Sequence, residues 1–431
     1  MKGFIQKLLQ LSSLGLLAAA SSSGFAAGYK MEFQSASVLA DSGEAAVVED
    51  AGTNWFNSAG LVYVPHQVVG SLIDLMTRTT FTGSLNAPNA LFAGSFNANG
   101  SAHSFHSTLL PALHYALPFK DRFAVGLSIV PAWGLAEDYG RSSFVRYQLT
   151  RVYTKSIDVA PSIAIKINKQ WSVGVGPDFN YLSLQSRFDG NLAYPLVNDA
   201  VSRISADDWN TGWHAGLLYR LSEATRFGLN YRSKIVMHLT GTSGLFGVGF
   251  ATPETNAFTF NWVLPPITTL SAYHDLSPCW ALMGTISYDQ WSTLRSYSIQ
   301  NYMSATGPTP VSLPQGFRNT FDLGIGAHYR LNEKWLLRGN LKYEPTPTGD
   351  LHRDINFPDA DKLGVQIGGR YQFTKCLAVD FLYGHVFTKS VPIRPQMAVY
   401  PGTTTPITGV TINGHSTTSI DLIGAQLVWN I

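Results

Sequence analysis

The sequence predicts an all-β protein: a 14-stranded antiparallel transmembrane β-barrel with an N-terminal hatch in its lumen. Three observations support this prediction. Apolar and polar residues alternate along many segments, the connections between these segments are alternately short and long, and no apolar run is long enough for a spanning helix. Only 13% of the 431 residues are charged, about half the usual fraction. This composition is typical of membrane barrels, whose signal per strand is weak.

The first 26 residues have the pattern of a secretory signal peptide. Lys2 and Lys7 lie around the start of the segment, an apolar run follows at 8–20, and residues 24–26 suit a signal peptidase. The run is too short for a spanning helix, which needs about 20 apolar residues. We expect cleavage after Ala26, which leaves 28 basic and 28 acidic side chains. A chain without net charge is a poor candidate for binding nucleic acid.

The region that begins at Trp171 shows the alternation clearly. Trp171, Val173 and Val175 are apolar, whereas Ser172 and Gly174 between them are small or polar. Successive side chains of a strand point to opposite faces, so one face is apolar and the other polar. The same rhythm recurs at 321–330, 335–343 and 377–383. A soluble β-sandwich would share this pattern, so alternation alone does not distinguish a sandwich from a membrane barrel.

The connections favour a barrel. Six are short, near 118–122, 168–170, 222–225, 277–278, 332–334 and 374–375, and seven are long, near 76–103, 134–143, 188–208, 241–257, 294–317, 345–360 and 389–418. They alternate strictly, and thirteen connections join 14 strands with both termini at one rim. Short turns at one rim and long loops at the other are typical of outer-membrane barrels. Aromatic residues near strand ends, such as Trp171 and Tyr181, would form girdles at the two membrane interfaces.

Several short segments follow one another in a characteristic order. They are Ala27-Gly28-Tyr29-Lys30-Met31-Glu32-Phe33, Glu49-Asp50-Ala51-Gly52, Asn57-Ser58-Ala59, Arg122-Phe123-Ala124-Val125-Gly126-Leu127, the segment 226–233, the run 316–342 and Phe357-Pro358-Asp359-Ala360-Asp361-Lys362. Over the whole mature chain, these segments resemble the long-chain fatty acid transporter family of outer-membrane proteins, the FadL/TodX type. Ser58 stands where this family usually has a proline.

The resemblance implies a barrel of 14 strands whose first mature residues form the hatch. We therefore divide the chain into a signal peptide (1–26), a hatch (27–68) and a barrel (69–431). The implied function is passive outer-membrane transport of long-chain fatty acids or similar hydrophobic compounds, without enzymatic activity, cofactor or bound metal. The implied route is capture by outer loops, a lumenal hydrophobic site, hatch movement and lateral exit at a kinked third strand.

The third strand carries the residues predicted to form the lateral gate: Pro131, Trp133 and Gly134. A proline cannot donate to the strand ladder, so a kink here would leave a gap in the wall. The alternative is that Pro131 only marks the end of the strand.

Two apolar loops are candidates for cargo capture. Leu245, Phe246, Val248 and Phe250 belong to one loop, and Leu192 and Leu196 to another. Exposed apolar loops usually mark contact with a ligand or partner. The alternative is that these loops pack together and close the mouth of the barrel.

Arg187 is the candidate for binding a fatty acid carboxylate, because arginine grips a carboxylate through two hydrogen bonds. The family places a basic residue in a similar setting, and Arg318 is the nearest match to a second one. The alternative is an ordinary surface arginine. In the hatch, Tyr29, Met31 and Phe33 are expected to fill the deep pocket and Asn57, Ser58 and Ala59 to form a turn, against the alternative of a disordered terminus.

Two other functions stay open at this point: a diffusion porin for small solutes, and a membrane hydrolase that uses Ser104 with His106 or Ser107 with His103. We expect a monomer that spans the Gram-negative outer membrane many times, with both termini in the periplasm. Its expected partners are hydrophobic small molecules, outer-membrane lipid and lipopolysaccharide, and the barrel assembly machinery. Cys279 and Cys376 should be free thiols, because they lie four strands apart.

Overall fold

The computed structural model describes residues 28–90, 92–247, 253–304, 307–395 and 409–431, and most of them belong to one antiparallel sheet. The barrel strands are β1 (Gln67–Pro88), β2 (Ser95–Phe119), β3 (Phe123–Val130 and Gly134–Asp138), β4 (Arg151–Lys166), β5 (Trp171–Gly190), β6 (Ala200–Arg220), β7 (Thr225–Arg232 and Ile235–Phe246), β8 (Glu254–Leu264 and Ile267–Asp275), β9 (Trp280–Asp289 and Ser296–Ser304), β10 (Gly307–Pro314 and Thr320–Arg330), β11 (Trp335–Glu344), β12 (Lys362–Thr374), β13 (Leu377–Thr388 and Val391–Ile393) and β14 (Thr411–Asn430). A short 3-10 helix, Trp291–Thr293, interrupts β9.

The sheet closes on itself because β1 pairs with β14 along its length, from Gln67 opposite Asn430 to Asn86 opposite Thr411. Each other strand pairs with its neighbours in the chain. Closure removes the two free edges that an open sheet of 14 strands would present to lipid. The predicted 14-stranded antiparallel barrel is confirmed.

The apolar positions of the alternation face outward. On β5, Trp171, Val175 and Phe179 are exposed, while the intervening Ser172 and Asn180 are buried toward the lumen. Trp171 stacks on Tyr219 near the short turns (4.3 Å between centroids), and Tyr181 lies 5.2 Å from Trp209 nearer the long loops. Ten residues separate Trp171 from Tyr181, which corresponds to about 25 Å along a tilted barrel wall. These rings therefore lie where girdles of a membrane barrel are expected.

The described residues before β1 lie inside the barrel. They form two short helices, α1 (Ala36–Leu39) and α2 (Thr53–Phe56), and a 3-10 helix, Ser58–Tyr63. Ser35 caps α1 by accepting a hydrogen bond from the backbone N–H of Val38. The first strand begins at Gln67, two residues before the predicted boundary. The predicted signal peptide, 1–26, lies outside the described residues. No helix among the described residues has the length and apolar character needed to cross a membrane.

Several of the predicted long loops are mostly strand in the part that the structure describes. Residues 76–103, 188–208 and 294–317 extend neighbouring strands into hairpins beyond the loop-side girdle. Their polar character misled the sequence prediction, because strands that rise above the membrane face water on the outside and lose the apolar alternation. Cys279 and Cys376 are free and exposed, as predicted.

Candidate functional site

The third strand is broken, and the N-terminal segment is bound at the break. The ladder between β3 and β4 runs to Val130 opposite Asp158 and resumes only at Gly134 opposite Lys155. In between, Met31 donates its backbone N–H to the Ala132 carbonyl at 2.9 Å, and Gly134 donates to the Tyr29 carbonyl at 3.0 Å. The predicted kink at Pro131, Trp133 and Gly134 is therefore a docking point for the segment 29–31.

Side chains satisfy the remaining backbone groups at the break. Ser156 on β4 accepts hydrogen bonds from the backbone N–H groups of Ala132 (3.2 Å) and Trp133 (2.7 Å). The Gln34 amide donates to the Pro131 carbonyl at 2.8 Å. Because buried backbone polar groups must be paired, these contacts allow the strand to break without orphaned donors.

The wall has a gap between β2 and the outer segment of β3. Pairing of these strands ends at Leu113 opposite Ile129, although β2 continues to Ser95 with β1 as its partner. Within the described residues, side chains bridge the gap: Asp138 N–H donates to Ser104 Oγ at 2.9 Å, and Thr79 Oγ1 donates to the buried Glu137 carboxylate at 2.8 Å. The barrel is thus sealed here by side chains and not by a backbone ladder.

An aromatic pocket surrounds Tyr29 inside the lumen. The Tyr29 ring stacks on Phe357 at 4.4 Å and meets the edge of Trp262 at 4.8 Å. Its hydroxyl accepts a hydrogen bond from the Tyr297 hydroxyl at 2.6 Å, and burial raises the pKa of the Tyr29 phenol far above its usual range. The pocket rings, drawn from five parts of the chain, are Trp133, Phe260, Trp262, Trp291, Tyr297, Phe317 and Phe357. Met31 and Phe33 are also buried in this cluster, so the three predicted hatch residues fill an apolar site.

A partly open cavity adjoins the N-terminal segment at the break. Its empty volume is about 670 Å³, and its lining includes Met31, Gln34, Phe56, Trp133 and Arg232. The cavity thus lies between the hatch and the interrupted part of the wall.

The lysine at position 30 is surrounded by carboxylates. Its ammonium group lies 2.7 Å from Glu32, 2.5 Å from Asp289 and 2.6 Å from Asp322. Burial alone would lower the pKa of Lys30, but these carboxylates raise it well above its ordinary value. Lys342 on β11 neutralises the same region by pairing with Glu32 and Glu44. The N-terminal segment is therefore held in place by buried ion pairs as well as by apolar contacts.

A second ion-pair network holds the middle of the hatch. Arg338 on β11 lies 2.5 Å from Glu49 and 2.6 Å from Asp380, and Arg370 lies 2.8 Å from Asp50. Burial opposes ionisation of Glu49, but the charges of Arg338 and His328 hold the pKa of its carboxyl well below the usual range.

The predicted turn Asn57-Ser58-Ala59 docks on β5 and β6. Asn57 accepts a hydrogen bond from Ala59 N–H at 3.1 Å and donates to the Leu217 carbonyl at 3.0 Å. Ser172 Oγ donates to the Ala59 carbonyl at 2.8 Å. Gly216 makes this approach possible, since a Cβ there would stand 2.1 Å from Asn57 Oδ1.

Neither predicted carboxylate-binding arginine faces the pocket. Arg187 pairs in register with Arg151 and Arg203, and the alternation of β5 places it on the same outer face as Trp171. The sequence analysis placed Arg187 at a binding site without extending the alternation of β5 to the end of this long strand. Arg318 is exposed, and its guanidinium reaches only the Thr346 carbonyl at 3.4 Å.

The structure brings together only part of the predicted capture loops. Leu192 is buried near Gly247, whereas Leu196 is 86% exposed. Leu245 and Phe246 end β7 and are half-buried. Val248 and Phe250 lie outside the described residues.

Comparison with known proteins agrees with this arrangement. The model of the outer membrane protein transport protein family (OMPP1/FadL/TodX) matches residues 17–429. The chain belongs to this family. It is 26% identical to a long-chain fatty acid transport protein of Escherichia coli over 410 residues, which cover 84% of this chain and 86% of the relative. It is 25% identical to outer membrane protein P1 of Haemophilus influenzae over 435 residues, with 91% and 92% covered.

Solved structures of the OMPP1/FadL/TodX family share the fold. A Pseudomonas aeruginosa FadL homologue superposes with a TM-score of 0.82 at 19% identity, and the match covers 94% of this chain and 100% of the homologue. The Ralstonia pickettii toluene transporter TbuX gives a TM-score of 0.64 at 19% identity, with 92% and 98% covered.

Membership of this family makes the chain an outer-membrane transport protein and not an enzyme. Consistent with this, Ser107 donates to Asp74, and His103 contacts Thr80 on the neighbouring strand. The sequence interpretation missed the pocket rings on β8, β9 and the β11–β12 loop and the buried charges that face them. Acidic and basic residues at lumenal positions of the alternation, such as Asp322 and Arg338, were the available signal.

Proposed function

We propose that this protein carries long-chain fatty acids and similar hydrophobic compounds passively across the outer membrane. The observation that supports this most directly is the position of Tyr29 and Met31: they occupy an aromatic pocket, and their backbone is paired at the break in β3. An apolar cargo that enters the pocket competes with these side chains. Displacement of the segment 29–31 would then uncover the break in the wall.

Energetics favours such a route over an aqueous pore. Each methylene kept out of water contributes about 0.8 kcal/mol, so an acyl chain or aromatic ring should pass from the apolar loops to the lumenal pocket and then into lipid. The gap between β2 and β3 provides an exit that avoids the polar hatch. A diffusion porin needs an open lumen, and we propose that residues 27–68, whose described members are mostly buried, fill it.

Apolar contact, and not ion pairing, is proposed to supply most of the cargo affinity. Four buried lumenal cations, Lys30, Lys342, Arg338 and Arg370, are each paired with carboxylates of the hatch or wall. A fatty acid carboxylate that bound to one of these cations would have to displace its partner, at a cost of several kcal/mol. Neutral hydrophobic compounds should therefore bind at least as well as fatty acids of equal apolar surface.

We further propose that both termini face the periplasm. Ile431 N–H donates to the His66 carbonyl at 2.9 Å, so the barrel begins and ends at the rim with the short turns. That rim faces the periplasm in bacterial barrels. A closed and plugged barrel needs no partner subunit, and we propose a monomer that the barrel assembly machinery inserts.

Uptake by purified protein in liposomes tests the proposed function. The cargoes are a fluorescent long-chain fatty acid, toluene, and glucose as the polar control. Faster uptake of the fatty acid and toluene than in empty liposomes, without glucose entry, is the expected result. Rapid glucose entry without hydrophobic uptake would replace the proposal with a porin.

A further inference from the structure

Three arginines stand side by side on neighbouring strands near the long-loop rim. The ladder registers place Arg151 of β4 opposite Arg187 of β5, and Arg187 opposite Arg203 of β6. Residues directly opposite each other in antiparallel strands point to the same face, with their Cβ atoms about 5 Å apart. We call Arg151, Arg187 and Arg203 the arginine row.

The arginine row lies on the outer surface of the barrel. The register between β5 and β6 is continuous from Trp171 opposite Tyr219 to Gly190 opposite Ala200, so the alternation of β5 is not shifted before Arg187. Arg151 and Arg203 are exposed, and Arg187 is partly covered. The Arg203 guanidinium lies 5.2 Å from the ring of Phe246 on β7.

The height of the arginine row above the membrane follows from the girdle. Tyr181 and Trp209 mark the loop-side interface, and Arg187 lies six residues further along β5. Six residues of a tilted strand rise about 15 Å. A phospholipid headgroup lies at the girdle itself, whereas the phosphorylated sugars of lipopolysaccharide extend beyond it.

The charges of the arginine row are only partly compensated within the part of the chain that the structure describes. Asp138 of β3 stands opposite Arg151 at one end of the row. Like charges directly opposite each other on paired strands destabilise a sheet. Asp189 is the carboxylate beside Arg187, but the ion-pair distance is 3.9 Å, and neither Arg187 Nε nor Asp189 Oδ1 has a hydrogen-bond partner among the described residues. Arg141 of the β3–β4 loop adds another positive charge that interacts with Arg187. Below the row, Lys155 and Asp207 stand on either side of Ser183.

We propose that the arginine row binds phosphate groups on the sugars of lipopolysaccharide in the outer leaflet. Arginine donates two parallel hydrogen bonds to phosphate, and adjacent guanidinium groups suit a ligand with several phosphates. The inference rests on the proposed orientation, in which the long loops face outward. It assigns Arg187 to a lipid site on the wall instead of a cargo site in the lumen.

Binding of purified, phosphorylated rough lipopolysaccharide to the detergent-solubilised barrel tests the inference. The test variant is Arg151→Gln with Arg187→Gln and Arg203→Gln. The control variant removes the same charge from the opposite rim: Lys169→Gln with Lys334→Gln and Lys375→Gln. We expect the control to bind like the unmodified protein and the test variant to bind roughly tenfold more weakly or worse, because it loses its charge-assisted hydrogen bonds to phosphate.

Three further ligands test whether binding requires the phosphate groups of lipopolysaccharide. Enzymatically dephosphorylated lipopolysaccharide, phosphatidylglycerol and inorganic phosphate should each bind the unmodified protein more weakly than the phosphorylated glycolipid. Substitution of the three arginines by lysine should give intermediate affinity, and this variant also keeps the test informative if the glutamine variant does not fold. Equal affinity of the glutamine and unmodified proteins, or equal binding of phosphatidylglycerol, would overturn the inference. The readout needs no cargo, so failure of the transport proposal would leave it unchanged.

Discussion

Met31 lies against Gly134 at the break in β3, so closely that a Cβ atom on Gly134 would stand 2.4 Å from the methionine sulfur. This contact joins the N-terminal segment to the interrupted wall. The Thr154 carbonyl, at 3.6 Å, is the next nearest atom and leaves room for a methyl group. A side chain at position 134 therefore competes with Met31 and with little else.

Gly134→Ala should loosen the segment 29–31 and speed hydrophobic uptake. Overpacking of a filled site costs about 1–3 kcal/mol, and the flexible Met31 side chain is the group that has to move. The measurement is protease sensitivity of the N-terminal segment together with uptake. The matched control is Gly70→Ala on β1, where a Cβ would meet no other atom within 4 Å. If Gly134→Ala releases the segment no more than Gly70→Ala does, the contact does not hold it.

Tyr29→Ala should strengthen the binding of a hydrophobic ligand, because it empties the pocket that the ring occupies. Aromatic pairs contribute about 0.5–1.5 kcal/mol beyond their buried area, so an increase of roughly tenfold is expected. Fluorescent fatty acid binding to the purified barrel measures it. Tyr29→Phe, which loses only the hydrogen bond to Tyr297, is the control and should change affinity far less. Weaker binding by Tyr29→Ala than by Tyr29→Phe would place the ligand elsewhere.

Lys30→Met should release the N-terminal segment from the lumen. The substitution leaves Asp289 and Asp322 buried without their main cation, and breaking a buried ion pair in this way costs about 3–5 kcal/mol. Hydrogen exchange of residues 28–50 reports the release. Lys169→Met, at an exposed turn, is the control. Unchanged exchange in Lys30→Met would show that apolar packing alone fixes the segment.

Docking of the hatch should depend on pH through Glu49. The folded-state pKa of Glu49 lies below its ordinary value of 4.5, so the ionised carboxylate stabilises the docked hatch above about pH 4.5. This contribution diminishes as the pH falls further and Glu49 becomes protonated. The measurement compares the hydrogen-exchange rates of the hatch in the unmodified protein and in Glu49→Gln, from pH 7 to pH 3. We therefore expect the two sets of rates to differ most at pH 7 and to converge at low pH. A constant difference would exclude Glu49 as the titrating group.

The number of strands, and the face of each strand that points outward, were predictable from the sequence because both follow from local patterns. Alternation identifies which face of β5 meets lipid, and Trp171 and Tyr181 mark its two interfaces. The ends of the hairpins were not predictable in the same way, since strands above the membrane lose the apolar face. Arg187 lies in such a region. An error of one residue in the assumed alternation there moves its side chain from the outer surface to the lumen.

The pocket was only partly predictable. Tyr29 and Met31 stand out as apolar residues near a polar chain end, and Pro131 marks the break where they dock. Trp262, Trp291 and Phe357 meet Tyr29 through barrel closure, which no local motif encodes. The ion pairs that join Arg338 to Glu49 likewise depend on how the hatch sits in the lumen.

A disulfide across the gap in the wall tests the proposed lateral route most directly. Thr79→Cys and Glu137→Cys place two thiols where the Thr79 hydroxyl now donates to the Glu137 carboxylate across the gap at 2.8 Å, in a background with Cys279 and Cys376 replaced by serine. Thr82→Cys with Ser101→Cys, whose present hydroxyls lie 2.9 Å apart on the intact β1–β2 ladder, is the control. Oxidation should reduce hydrophobic uptake to near background in the first pair alone, and reduction should restore it. Undiminished uptake with a fully formed Thr79→Cys, Glu137→Cys bridge would contradict exit between β2 and β3.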